Sequence, residues 1–223
     1  MTTLNGAVGS ISVVGAIWPP GGDLSEPVSQ GTLRVIKTFW ALDASLANSK
    51  HFPSINWLSS YSLYLNALEK WYSENVNKEF IPNRNKAMAL LQREAELKDI
   101  VQLVGADALP DSERVILEIG KMLRENFLRQ NAYDEMDAYT SLGKQSAMLR
   151  ETLHFSDRAA EAVAKGVSVD KVMAVAVKPK LARMKEVKES DVEKEAKAIG
   201  AEIDTEFGKL IKEEATVEEK VSK

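Results

Sequence analysis

Between residues 61 and 165, apolar side chains recur at helical spacing with few interruptions. Each such helix has to bury one stripe, and helices joined by short connections do so by packing antiparallel to one another. Gly105 is a natural stop for one helix, and Pro110 suits the first turn of the next. The sequence therefore predicts an antiparallel bundle with a turn over 75–84 and helices over 62–75, 86–104, 110–128, 140–165 and 168–177.

The first 60 residues differ from the rest, because β-branched and aromatic residues surround a cluster of glycines and prolines. Ser10–Trp18 is a short apolar run that ends at a Pro-Pro-Gly-Gly loop, and it predicts a buried strand. The β-rich run Thr32–Leu42 predicts a second strand, although its length also allows a helix. Two strands do not make an independent sheet, so this part is interpreted as the edge of a larger α/β sheet.

The last part of the chain, residues 183–223, differs chemically from the body because about half of its residues are charged. Its apolar residues form a narrow helical seam: Val192, Ala196, Ile199, Ile203, Phe207, Leu210 and Ile211. Such a seam docks on the chain's own bundle, which we favour, or on a partner. The sequence thus predicts a sheet edge (1–60), a helical bundle (61–182) and a charged amphipathic tail (183–223).

Composition excludes several classes of protein. The 29 Lys and Arg against 33 Asp and Glu give a net charge of −4, which excludes a protein that mainly binds nucleic-acid phosphates. There is no cysteine, and two histidines are too few for a histidine-rich site, so no metal site is expected. No apolar run approaches the roughly 20 residues that cross a bilayer, and no signal-peptide pattern is present. These features predict a cytoplasmic protein without direct membrane insertion.

The sequence contains no complete motif for catalysis or phosphate binding. We find neither G-x-x-x-x-G-K-S/T nor G-x-G-x-x-G, and neither H-E-x-x-H nor G-x-S-x-G. Asp23 and Glu26 are loop carboxylates that could bind a cation, but solvated or partner-facing carboxylates are far more common. His51 is interpreted as a structural histidine. Residue types alone therefore predict a sheet edge and a helical bundle, and no chemistry.

Several longer strings, in a fixed order along the chain, carry a resemblance to one known family. They are Pro19–Pro27, Thr32–Asp43, His51–Trp57, Ser60–Tyr64, Asn126–Tyr133, Asp137–Tyr139 and Lys144-Gln145. In these strings the chain resembles the catalytic A subunit of archaeal and bacterial A/V-type rotary ATPases. The resemblance implies a mixed, mainly α fold, in which edge strands of a RecA-like α/β nucleotide-binding domain precede a C-terminal helical bundle.

The resemblance also implies which functional parts lie elsewhere. In the family, the phosphate loop, the glutamate that polarises the attacking water and the magnesium-binding strand all precede the region that this chain resembles. Because phosphoryl transfer depends on these groups and the metal, the chain is expected to hold no catalytic residue and not to hydrolyse ATP alone. The intact protein would bind ATP or ADP with Mg²⁺, whereas we expect none bound to this fragment.

Two kinds of contact are implied residue by residue. Phe52, in the His-Phe-Pro segment, and Ala132 and Tyr133, in the Gln-Asn-Ala-Tyr segment, correspond to the walls of the adenine pocket; phenylalanine is usual where Tyr133 stands. Two surfaces are expected to contact the central stalk. They are the loop formed by Gly22, Asp23, Leu24, Ser25 and Glu26, and the turn between two helices with Asp107, Asp111 and Glu113.

The implied function is energy coupling in a rotary motor. Nucleotide occupancy would move the helical bundle about a hinge near residues 59–64 and drive the central stalk, linked to proton or sodium transport. The expected partners are the upstream part of the same catalytic chain, the B subunits that alternate with it in a hexamer, and the central-stalk proteins, in a head peripheral to the membrane. The alternative is a stand-alone helical interaction or assembly module without nucleotide binding.

Overall fold

The structure is a computed structural model that describes residues 2–4, 6–105 and 108–221, with the side chains of residues 6, 8–105 and 108–216. About two thirds of the chain is helical, which confirms the expected mixed, mainly α fold. The strands are β1 (Thr2–Leu4), β2 (Ala7–Gly9), β3 (Thr38–Phe39) and β4 (Tyr61–Ser62). The helices are α1 (Pro27–Val35), α2 (Ala44–Asn48), α3 (Leu65–Asn75), α4 (Phe80–Val104), α5 (Asp111–Met122), α6 (Glu135–Ala138), α7 (Leu142–Ala164), α8 (Val169–Met173), α9 (Val177–Ala182) and α10 (Val192–Val221).

Helix α7 lies at the centre of the bundle, and α4, α5 and α10 pack around it. Phe155 of α7 and Phe207 of α10 meet edge to face, with their ring centroids 5.2 Å apart. Other buried apolar side chains of this core are Leu91, Val115, Ile119, Leu123, Leu149, Leu153, Ala196, Ile199 and Ile203. The seam of the tail is part of the bundle's own core, because most of its side chains are buried there. Burying a large apolar side chain of this kind contributes about 1.5–3 kcal/mol. The boundary at residue 183, which the sequence predicts between the bundle and the charged tail, stays a prediction.

The predicted bundle helices are present, but several of their ends differ. Helix α4 begins at Phe80, inside the predicted turn 75–84, because Pro82 lies in the first helical turn, where its missing N–H removes no intrahelical bond. The predicted helix 110–128 consists of α5 followed by a π-helical turn over Leu123–Leu128. The continuous helix predicted over 168–177 is wrong, since this part contains α8 and the start of α9.

The strand predicted over Ser10–Trp18 is wrong for this structure. These residues form no regular element, and their apolar side chains other than that of Ile17 are exposed, Trp18 to 95%. A strand needs a neighbouring strand to take its main-chain hydrogen bonds. The preceding strands β1 and β2 form an antiparallel hairpin in which Thr2 is opposite Gly9. The segment therefore has the composition of a buried strand but remains outside these small sheets.

The strand predicted over Thr32–Leu42 is wrong for its first half. Glu26 caps α1 by accepting hydrogen bonds from the first main-chain N–H groups of the helix, and Pro27 occupies the first helical position. The helix so started continues to Val35. Strand β3 then pairs antiparallel with β4, with Phe39 opposite Tyr61. The interpretation of the first 60 residues as a sheet edge therefore rests on two short antiparallel strand pairs, β1–β2 and β3–β4, which are separate from each other.

Candidate functional site

Phe52 lies in a loop whose base is closed by main-chain hydrogen bonds. The N–H of Asp43 donates to the carbonyl of Ser54 at 2.9 Å, and the N–H of Asn56 donates to the carbonyl of Ala41 at 2.8 Å. The side-chain amide of Asn56 also donates to the Asp43 carboxylate at 2.9 Å. These bonds fix the two ends of the loop, and its Phe52 side chain is 51% exposed.

His51 anchors the same loop from the inside. Its imidazole is buried and lies against Trp57, with ring centroids 5.5 Å apart. Burial lowers the pKa of His51, because the protonated ring loses its hydration there; Glu125 acts in the opposite direction, and Arg124 and Arg129 lower the pKa further. The ring is therefore neutral at pH 7, which agrees with a structural role.

One main-chain hydrogen bond joins this loop to a segment far away in the sequence. The N–H of Gln130 donates to the carbonyl of Phe52 at 2.7 Å. Gln130 follows the π-helical turn 123–128, where the main-chain register shifts from that of α5. Such π-helical turns often occur at functional sites. Sequence reasoning missed Gln130, because a main-chain bond depends on no particular residue type.

The turn after Gln130 carries the second nominated wall. The N–H of Asn131 donates to the buried carboxylate of Asp137 at 2.7 Å, and the N–H of Tyr133 donates to Oδ1 of Asn131 at 3.1 Å. Ala132 is exposed, and the Tyr133 side chain is 100% exposed. The structure thus joins both nominated segments by a main-chain hydrogen bond, with the Phe52 side chain half exposed and that of Tyr133 fully exposed. Exposed aromatic side chains are chemically suited to stack on a planar heterocycle.

The loop of residues 22–26 is a compact turn whose carboxylates bind its own backbone. Gly22 has a φ of +76°, a conformation that favours glycine. Oδ1 of Asp23 accepts the N–H of Ser25 at 2.8 Å, and Glu26 caps α1. Hydrogen bonding from Ser25 lowers the pKa of the Asp23 carboxyl, and hydrogen bonding from Ser29 and Val28 lowers that of Glu26. Asp23 and Ser25 are exposed, whereas Leu24 and Glu26 are partly buried, so Asp23 is the carboxylate most open to a partner.

The acidic residues at the start of α5 are paired with arginines. Asp111 lies 3.1 Å from Nη1 of Arg114, and Oε1 of Glu113 lies 2.6 Å from Nη2 of Arg93. The third nominated acid, Asp107, lies outside the described residues. Carboxylates already bound to arginine offer a partner less free negative charge than the sequence alone indicates.

Apolar side chains lie exposed at the end of α4. Leu103 is 85% exposed, and Val104 is exposed as well. Gly105 ends the helix with a φ of +85°. Sequence reasoning missed this exposure, and the one available signal was the position of both residues beside the helix stop. The end of α4 thus presents apolar surface, whereas the start of α5 carries paired charges.

Two absences hold for residues 2–4, 6–105 and 108–221. In this part of the chain no helix is both long and apolar enough to traverse a bilayer. Within the same residues, no three His, Cys, Asp or Glu side chains are grouped so that they could hold a metal ion.

Comparison with known protein families gives a match for two parts of the chain. Residues 1–62 match the nucleotide-binding domain of the ATP synthase alpha/beta family. Residues 69–173 match the C-terminal domain of V and A type ATP synthase. The chain therefore belongs to the V and A type ATP synthases of this family, and it combines part of the first domain with the second.

Individual relatives narrow this assignment to the A subunit of the A-type ATP synthase. The A subunits from Methanopyrus kandleri and Thermococcus kodakarensis are each 53% identical to this chain, over 206 and 205 residues. The one from Methanococcus vannielii is 52% identical over 205 residues. Each match covers 92% of this chain but 35%, 34% and 35% of the respective relative, in its C-terminal part. The chain thus spans about one third of the length of these relatives.

Proposed function

We propose that this chain works as the C-terminal part of the A subunit in a rotary A-type ATP synthase, where it contributes adenine-pocket walls and transmits movement to the central stalk. The observation that carries the proposal is the 2.7 Å hydrogen bond from the Gln130 N–H to the Phe52 carbonyl. This bond joins the loop that carries Phe52 to the segment that carries Ala132 and Tyr133, which supports their proposed role as two walls of one pocket. The exposure of both side chains supports a role in stacking on adenine.

The nucleotide of the intact protein is ATP or ADP with Mg²⁺. Phe52 and Tyr133 fit its adenine ring, since stacking on an aromatic side chain contributes about 1–3 kcal/mol per base. The phosphates and Mg²⁺ would be held by the upstream part of the catalytic chain, and the bound metal would neutralise charge during phosphoryl transfer. The residues of this chain orient the base and exclude water from its faces, and none of them has a catalytic role.

The exposed segment 10–18 supports the upstream part of the catalytic chain as a direct partner. Its apolar side chains, such as Ile11, Val13 and Trp18, lie in water in this structure. Entry of this segment into the sheet of a nucleotide-binding domain would bury them and satisfy its main-chain hydrogen bonds, with a gain of about 25 cal/mol per Å² of apolar surface.

Two surfaces are proposed to contact the central stalk. The first is the loop 22–26, through Asp23. The second lies between α4 and α5. There the apolar side chains of Leu103 and Val104 are proposed to contact the stalk together with the acidic residues Asp107, Asp111 and Glu113. A packed bundle transmits a hinge movement because its interior does not deform continuously. In the assembled head, peripheral to the membrane on its cytoplasmic side, B subunits alternate with the catalytic ones, and rotation is coupled to proton or sodium transport.

A hybrid protein tests this proposal. The upstream part of the Methanopyrus kandleri relative is joined to this chain, and ATP binding is measured for the hybrid, for Phe52→Ala and for Tyr133→Ala. The control is Tyr139→Ala, which removes an exposed aromatic ring outside the two walls. We expect each wall variant to weaken ATP binding about tenfold and the control to bind normally.

Two outcomes would contradict the proposal. A hybrid that binds no ATP, or ATP binding that neither wall variant weakens, would remove the adenine-pocket role. Either result would favour the alternative, a stand-alone helical module that binds a partner without nucleotide.

A further inference from the structure

Lys144, in the first turn of α7, is a charged side chain in the core, only 2% exposed. Its Nζ donates to three main-chain carbonyls, those of Met136 at 2.9 Å, Lys185 at 2.7 Å and Val187 at 2.8 Å. A lysine ammonium has three N–H donors, so each donor has an acceptor. All three acceptors are carbonyls rather than carboxylates, and the position of the ammonium depends on all of them.

The three carbonyls belong to two segments that are far apart in the sequence. Met136 lies in α6, directly after the adenine-facing turn 129–133. Lys185 lies in the 3-10 turn Met184–Glu186, and Val187 follows it, where the charged tail begins. Carbonyls at the ends of short helical segments lack intrahelical partners and carry partial negative charge. A single cation therefore satisfies both segments at once and holds them together.

A second link between the same segments passes through Asp137. Its buried Oδ2 accepts the N–H of Asn131 at 2.7 Å, and Nζ of Lys185 lies 3.6 Å from the same oxygen. A third link joins Ser141, the N-cap of α7, to Glu189, with the Ser141 hydroxyl 2.6 Å from the carboxylate. Asp137 thus connects the adenine-facing turn to the start of the tail, and Ser141 connects the start of α7 to the same part of the tail.

We propose that Lys144 is a positioning residue that ties the adenine-facing turn to the start of the tail, so that the placement of α10 sets the pose of Tyr133. That the turn 129–133 faces adenine rests on the proposed function. The connection between this turn and the start of the tail consists of the polar contacts given above. Helix α10 packs on α7 through Phe207 and Phe155, so a movement of this helix pair reaches Lys144 directly. Nucleotide affinity in the intact protein therefore depends on the tail.

Amide hydrogen exchange on the 223-residue chain tests the tie without nucleotide. Lys144→Met keeps the length and apolar stem of the side chain but removes the donors. We expect the hydrogen-bonded amides of residues 130, 131, 133 and 134 and those of 186–187 to exchange about tenfold faster or more, because the freed carbonyls no longer hold the two segments, while amides of α5 change little. Unchanged exchange in 130–134, or an equal rise at every amide, would overturn the proposal.

Two further variants make this measurement specific. Lys165→Met removes an exposed lysine, paired with Glu161, at the other end of α7 and is expected to leave exchange in 130–134 unchanged. Asp137→Ala releases Asn131 but leaves the three hydrogen bonds of Lys144 in place, so it remains informative if Lys144→Met does not fold. It is expected to speed exchange at Asn131 and to leave 186–187 unchanged, and no effect at Asn131 would count against the proposal.

The hybrid protein described above separates this proposal from the proposed function. There, Lys144→Met is expected to raise the KM for ATP about fivefold with kcat unchanged, because Tyr133 orients the base and does not touch the phosphates. A purely structural defect would lower kcat through loss of folded enzyme. If the hybrid binds no ATP while local exchange still responds to Lys144→Met, the adenine role fails and the tie stands. Normal ATP binding with unchanged KM and exchange would refute the positioning role.

Discussion

The backbone of Gly120 in α5 packs directly against the buried side chain of Glu94 in α4: a β-carbon at Gly120 would lie 2.5 Å from Cγ of Glu94. Two cations hold Glu94 in this place. Nε of Arg124 donates to its carboxylate at 3.0 Å, and Nζ of Lys98 lies 2.9 Å from it. Because a buried carboxylate without its partners is strongly destabilising, Glu94 cannot easily retreat from the contact.

Gly120→Ala is therefore expected to lower the free energy of unfolding by about 1–3 kcal/mol, the usual cost of overpacking a well-filled site. Urea denaturation measures this change. The matched control is Gly208→Ala in α10, where a β-carbon would meet nothing within 4 Å. There we expect a gain of about 0.5–1 kcal/mol, since alanine is the better helix former. Equal effects at the two glycines would contradict the close contact.

Phe207→Ala tests whether the tail belongs to the core of the bundle. Phe207 is fully buried against Phe155, so its truncation is expected to lower the free energy of unfolding by about 3–5 kcal/mol. Lys209→Ala, at an exposed position of the same helix, is expected to change this free energy by no more than about 0.5 kcal/mol. A loss for Phe207→Ala no larger than that of the control would mean that the tail does not share the core.

The bundle can be predicted from the sequence because its signal is local. Apolar residues repeat with the helical period, and Gly105 marks a helix end wherever the helix docks. The segment 10–18 cannot be predicted in the same way, since a strand depends on neighbouring strands that its own residues do not specify. The predicted start of α4 is wrong for a different reason. Pro82 is typical of a loop, but a proline is also accepted in the first helical turn.

The candidate site is predictable only in its side chains. The resemblance nominates Phe52 and Tyr133, but the contact that joins their segments is the main-chain N–H of Gln130, which has no residue-type signal. The burial of Lys144 is invisible in the sequence for a related reason, because a lysine in a helix is usually solvated and its burial depends on carbonyls brought in by the fold. These nominated roles stay predictions until ATP binding is measured.

The pKa of His51 predicts a pH dependence of stability. Burial lowers the folded-state pKa below the ordinary value of about 6.5, so the unfolded chain takes up a proton first as the pH falls. The contribution of His51 is therefore fully present above about pH 6.5 and decreases as the pH falls through the window below it. Unfolding measured at about pH 7.5 and about pH 5.5 should show a smaller decrease for His51→Phe than for the parent chain.

A direct titration of the His51 ring by NMR is the check on this explanation. A midpoint at or above about 6.5 would contradict it. The hydrogen-bonded carboxyls of Asp23 and Glu26 do not interfere, because their ordinary pKa values of 3.8 and 4.5 place their contribution at lower pH. Their stabilisation is present above those values and is lost only as the pH falls below them.

The chain alone is expected to release no phosphate from ATP. Phosphoryl transfer depends on positioned groups that bind the phosphates and the metal, and no phosphate-loop motif occurs in the sequence. Phosphate release is measured on the chain before and after a second purification, and the hybrid protein serves as the positive comparison. Activity of the chain that persists at constant specific activity through repurification would show this expectation to be wrong.

The turn between α4 and α5 gives a prediction about how force reaches the stalk. Leu103→Ser is expected to leave the free energy of unfolding within about 0.5 kcal/mol, because the side chain is exposed, but to lower ion transport per ATP hydrolysed in an assembled complex that contains the hybrid protein. Glu113→Gln breaks the partly exposed pair with Arg93, at a cost of no more than about 1 kcal/mol, and is expected to affect transport less. The opposite order of effects would show that charge, as the sequence suggests, and not the apolar surface of Leu103, makes the contact.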